Sequence, residues 1–66
     1  MCMISADVIS RLEAAGWRWV RTKGSHQTFK HPNVAEIVTV PHPRKDIGKG
    51  LVRKIERISG VKMTED

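Results

Sequence analysis

The sequence holds a single cysteine, Cys2, so no disulfide can form within the chain. Small secreted domains usually rely on such staples, and one thiol in 66 residues points to a reducing, cytoplasmic setting. No apolar run approaches the ~20 residues needed to span a bilayer. The N-terminus also lacks a basic segment followed by an apolar stretch, so neither membrane attachment nor a secretory signal is expected. Tyrosine is absent and phenylalanine occurs once, which leaves Trp17, Trp19 and Phe29 as the large aromatic side chains. A chain this short buries only about 60% of the surface that it exposes unfolded. Residues 1–66 are therefore expected to form one domain with one small core, which supplies about 3–5 kcal/mol. That excludes deep cofactor pockets and leaves room for a surface site of a few residues. With no second cysteine and no helical histidine pair, neither a metal nor another cofactor is expected.

Acidic residues are also scarce, seven against twelve lysines and arginines, for a formal charge of +5. Between Arg18 and Arg57 the imbalance sharpens to ten basic residues against Glu36, Asp46 and Glu56. A middle this basic attracts polyanions, nucleic acid first and an acidic protein second.

What is present divides into five segments. Ser5 is expected to cap a helix over 6–15, with Asp7 in the first turn and Ile4 and Ile9 at the spacing of a hydrophobic staple. Val8, Ile9, Leu12 and Ala15 form its apolar stripe, and Gly16 suits the left-handed position that ends it. The period then changes. Residues 17–23 alternate aromatic or β-branched side chains with charged ones and predict a strand. Gly24-Ser25 forms a turn, residues 26–31 a second strand, and Pro32-Asn33 a break. A third strand covers 36–40 and stops at Pro41, before the stiff Pro41-His42-Pro43 segment. A second helix over about 48–59 places Ile47, Leu51, Ile55 and Ile58 on one face. Lys49, Arg53 and Arg57 run down another face, with Lys54 nearby. Gly60 ends it, and the last six residues are expected to fray.

The order helix–strand–strand–strand–helix predicts an α+β domain with a three-stranded antiparallel meander and both helices on one sheet face. That is the layout of double-stranded-RNA-binding domains. The expected core contains Val8, Leu12, Trp17, Phe29, Val38, Leu51, Ile55 and Ile58. Trp19 is left open: it lies on the face of Trp17 or is displaced by a bulge.

His26, His31 and His42 are the neutral-pH acid–base candidates. His26 follows the Gly24-Ser25 turn, where a glycine lets backbone approach a phosphate and Ser25 can hydrogen-bond it. Arg21 and Lys23 bring charge on the neighbouring strand. His31 lies an odd number of residues further along and points to the opposite face. His42 is expected to be a loop residue held by its prolines. RNA carries its own nucleophile, the 2′-hydroxyl, so one imidazole with nearby cations suffices for slow cleavage.

The segment Gly16-Trp17, then Arg21-Thr22-Lys23-Gly24-Ser25-His26-Gln27-Thr28-Phe29, then Val38-Thr39-Val40-Pro41-His42-Pro43, resembles the HicA family of mRNA interferase toxins. Lys45-Asp46-Ile47 and Gly50-Leu51-Val52-Arg53-Lys54-Ile55 are similar to the family's second helix, and the likeness covers about 4–60. The resemblance implies a double-stranded-RNA-binding-like α-β-β-β-α fold and metal-independent cleavage of mRNA, with His26 as the catalytic histidine. It also implies a neighbouring HicB-type antitoxin that covers the active site in a hetero-oligomeric complex. RNA contacts are expected at Arg21, Lys23, Gly24, Ser25, Lys30, Lys49 and Arg53. Two rival readings remain open: a non-catalytic RNA-binding module with His26 as a phosphate contact, and a DNA-binding protein using its basic helix.

Overall fold

The structure, a computed structural model, describes residues 3–63. Helix α1 spans Ser5–Ala14, strands β1, β2 and β3 span Arg18–Lys23, His26–His31 and Val34–Pro41, and helix α2 spans Lys49–Ser59. The strands pair antiparallel in the order β1-β2-β3, and Phe29, Val38 and Val40 face the helices. Both helices pack over β3. The expected α+β meander with its helices on one face is therefore the fold observed.

The end of α1 shows how sequence fixes the entry into the sheet. Gly16 has φ +97°, and its N–H donates to the Glu13 carbonyl at 3.0 Å, while Trp17 N–H donates to the Leu12 carbonyl at 3.0 Å. These are the two bonds of a Schellman motif, and its usual apolar contact is supplied by Leu12 and Trp17, both in the core. A side chain at Gly16 would be doubly penalised. Its φ is left-handed, and a Cβ there would sit 3.1 Å from His31 Nε2.

The start of α1 differs from expectation. Ile4, not Ser5, is the N-cap residue, no side chain caps the helix, and Ile4 is 50% exposed, which weakens any staple with Ile9. Ser5 is instead buried as the first helical residue, with its hydroxyl engaged elsewhere. It accepts the Arg44 N–H at 2.9 Å and shares a 2.7 Å hydrogen bond with His42 Nδ1. Ser5 N–H donates to the Arg44 carbonyl at 2.8 Å, so an orphan helix donor is satisfied by tertiary structure rather than by a cap.

The core contains Val8, Leu12, Trp17, Phe29, Val38 and Ile55, as expected. Leu51 and Ile58 are only partly buried, because the inward side of α2 is centred on Val52 and Ile55. Val40, Ile47, Val52 and Met63 complete the core. Ile47 is drawn in by a short bridge to Met3, with Ile47 N–H donating to the Met3 carbonyl at 2.8 Å. The expectation of a frayed tail fails through Met63, whose N–H donates to Glu56 Oε2 at 2.8 Å and whose side chain is buried. Cys2 and residues 64–66 lie outside the described residues.

Candidate functional site

Lys23 and His26 flank a two-residue turn and face one another as ladder partners. Gly24 holds φ +59° and Ser25 has no positive φ, the pattern of a type II′ hairpin turn, in which glycine takes the first central position. Nothing lies within 4 Å of the position a Gly24 Cβ would take, so the turn is open to an approaching group.

The register of β1 against β2 breaks once, between Trp19 and Arg21. Trp19 pairs with Phe29, Arg21 with Thr28, Thr22 with Gln27, and Val20 is the extra residue. Without this bulge, strict alternation would put Arg21 and Lys23 on the same face as Trp17 and Trp19. With it, Arg21 and Lys23 turn to the open face, opposite Thr28 and His26. Arg18, opposite Lys30, already points there. The open face thus carries Lys23 opposite His26, Arg21 one step further and the Arg18–Lys30 pair towards the other end of the hairpin, and directly opposed side chains have Cβ atoms about 4.5–5.5 Å apart. No acid occurs between Glu13 and Glu36 to neutralise them.

The three histidines are in different circumstances. His31 Nδ1 accepts the Asn33 N–H at 3.0 Å, which leaves Nε2 to donate to the Ala15 carbonyl at 3.1 Å. Its ring lies 5.4 Å from that of Trp17. His31 therefore ties the end of α1 to the second hairpin, a structural task. His42 Nδ1 is hydrogen-bonded to the Ser5 hydroxyl, and the His42 backbone N–H donates to the Ser25 carbonyl at 2.6 Å. That bond pairs His42 with Ser25, one step from the Pro41–His26 pair, so His42 lies on the helix side and His26 on the open side. His26 is exposed on the central strand, with Lys23 on one flank and Pro41 on the other.

Arg21, Lys23, Gly24, Ser25 and Lys30 are thus gathered on one hairpin with His26. Lys49 and Arg53 are not: they are exposed on α2, in the layer on the other side of the sheet. Arg18 was missed by sequence reasoning. Simple alternation sets it on the face opposite Arg21 and Lys23, and nothing in the residue types locates at Val20 the bulge that brings them together. Among the described residues, no group of three potential ligands is placed to hold a metal ion, and no helix is long and apolar enough to cross a membrane.

A comparison with curated proteins finds no match. The family described as the HicA toxin of bacterial toxin–antitoxin systems matches residues 5–61. A solved structure described as the HicA3 and HicB3 toxin–antitoxin complex contains a chain 45% identical in sequence, with a TM-score of 0.83. The alignment covers 94% of this chain and all of that one. The match takes in α1, the whole hairpin with its Gly24-Ser25-His26 turn, and α2. The chain belongs to the HicA family of toxins from bacterial toxin–antitoxin systems.

Proposed function

We propose that the chain is a metal-independent endoribonuclease that cleaves mRNA in the cytoplasm, with His26 as its general acid–base and a HicB-type antitoxin as its inhibitor. The observation that carries this reading is the open sheet face, where Lys23 and Arg21 lie beside the one exposed imidazole among the described residues and Arg18 and Lys30 extend the positive charge along the hairpin. Arg21 and Lys23 hold the phosphate, and the open turn at Gly24-Ser25 lets the backbone come close to it. His26 takes the proton of the RNA 2′-hydroxyl, which attacks the adjacent phosphorus. The cations stabilise the charge that builds on the phosphorane. The bond to the 5′-oxygen then breaks as the proton held by His26 passes to that oxygen, leaving a 2′,3′-cyclic phosphate and a 5′-hydroxyl. One imidazole cannot be optimal as both base and acid, so the rate is modest.

The HicA3 relative was solved together with HicB3, which supports an antitoxin of that type as the partner here. A non-catalytic RNA-binding module would use the same cationic face, and the two readings part on product formation. Incubation of purified protein with RNA and separation on a gel is expected to reveal cleavage by the wild type. His26→Ala is expected to lose about 10²–10⁴-fold of it, the usual share of general acid–base catalysis. Its stability should change by no more than about 0.5 kcal/mol, since the residue is exposed. Binding without cleavage by the wild type would leave the module reading standing and remove this one.

A further inference from the structure

Trp17 and Trp19 sit two residues apart on the same face, yet Trp17 is 2% exposed and Trp19 55%. The helices cover β3 and leave β1 overhanging, with every one of its six residues exposed. Trp19 is nevertheless held in place. Its Nε1–H donates to Thr22 Oγ1 at 2.8 Å. Residues three apart on a regular strand point to opposite faces, and it is the Val20 bulge that brings these two together. With the indole N–H already satisfied, what Trp19 offers a ligand is a flat, apolar ring face. We propose that this face is a stacking platform for an unpaired nucleobase of the RNA whose phosphates are held by Arg21 and Lys23.

Three observations favour this occupant. A pinned aromatic ring beside a cationic track is the combination that binds single-stranded nucleic acid without reading hydrogen-bonding edges. Arg18, Arg21 and Lys23 supply the track on the open face of the same strand, across its uncovered edge from the indole. Position also fits. Trp19 is paired with Phe29, three residues from His26 on β2, which puts it about 10 Å along the strand from the reacting phosphate. Because β1 is an edge strand with neither face covered, a polynucleotide following its rim reaches the open face at Lys23 and the indole at Trp19. A duplex keeps its base faces stacked inside and offers nothing to such a ring, so the ligand class is single-stranded RNA.

This inference rests on the RNA reading above, and its test separates the two. The probe is a single-stranded 2′-O-methyl RNA oligonucleotide, which lacks the nucleophile, with its duplex as control. Binding is followed by tryptophan emission and independently by anisotropy of a label on the oligonucleotide. The single strand is expected to quench the wild type strongly, with Trp17 as a constant buried background. Trp19→Ala should lose that quenching and about tenfold or more in affinity, the usual weight of one stacked base. Its dependence on salt should stay that of the wild type, because no phosphate contact is removed. Trp19→Phe should retain most of the affinity, since a ring remains although the bond to Thr22 is gone. If Trp19→Ala binds the single strand as tightly as wild type, the platform is wrong and the RNA reading survives. Equal quenching by the duplex would overturn the single-strand assignment, and quenching only by a HicB-type antitoxin would make Trp19 a protein contact. Absence of any binding or cleavage by the wild type would remove the RNA reading and the platform with it.

Discussion

Ser5 Oγ and His42 Nδ1 are joined by a 2.7 Å hydrogen bond that ties the first turn of α1 to the segment leaving β3. The same hydroxyl accepts the Arg44 N–H, so one buried side chain satisfies two groups from the far end of the sequence. The geometry makes His42 a tie between layers and sets it on the side of the sheet away from His26. Ser5→Ala should therefore cost about 1–3 kcal/mol, because the Arg44 N–H and His42 Nδ1 lose their partner in a partly buried setting. His42→Ala should cost about 1 kcal/mol while cleavage per folded molecule stays near wild type. Urea unfolding and RNA cleavage measured on the same samples check both. A stable but inactive His42→Ala would give that imidazole a part in the chemistry.

Gly16 should tolerate no side chain. Gly16→Ala meets a left-handed backbone worth about 1–2 kcal/mol of strain, and its methyl would press on His31 Nε2 from 3.1 Å. Disturbing His31 also loosens its bond to the Ala15 carbonyl. A drop in thermal midpoint of several degrees is expected, from the usual scaling of stability for a domain of this size. An unchanged midpoint would mean that the Schellman turn relaxes freely.

The two basic surfaces should separate in a salt titration. Arg21→Gln or Lys23→Gln should weaken binding across sequences and flatten the dependence on salt by about 0.7 in log–log slope, the share of one single-strand phosphate contact. Arg53→Gln, on the helix layer, should leave that slope unchanged if only the open face holds RNA. A slope reduced equally by all three would extend the interface around the edge of the domain to α2.

The nucleophile can be tested on the substrate. An oligonucleotide with a single 2′-deoxy sugar at the cleavage site should bind nearly as well as RNA and resist cutting, with or without chelator. Efficient cutting of the deoxy site would make water the nucleophile, and a different activating group would have to be found.

Removing the extra residue should spare the site. Deletion of Val20 sets Arg21 directly after Trp19 in strict alternation, which keeps Arg21 and Lys23 on the open face opposite Thr28 and His26. Cleavage should stay near wild type with the far-ultraviolet circular dichroism spectrum retained. Loss of activity in a folded deletion variant would show that the local twist of the bulge, and not the choice of face alone, aims these two cations.

Local chemistry determined much of this protein in advance. The i, i+3, i+4 stripe of α1, the glycine after it, the β-branched runs and the Gly24-Ser25 turn act over a few residues, so their effect is readable in order along the chain. The elements, their order and the exposed histidine at the turn follow from them. What depended on contacts between distant residues was not readable. Ser5 suits an N-cap by residue type, yet Arg44 and His42 take its hydroxyl from 39 and 37 positions away. Met63 belongs to a polar-looking tail until Glu56 accepts its N–H. The rotation of α2 that buries Val52 and leaves Leu51 half-covered was set by how the helix rests on β3. The register shift at Val20 belongs to the pairing of two strands and to neither alone. That shift, made in three dimensions, puts Arg21 and Lys23 beside His26 and leaves Trp19 pinned at the uncovered edge.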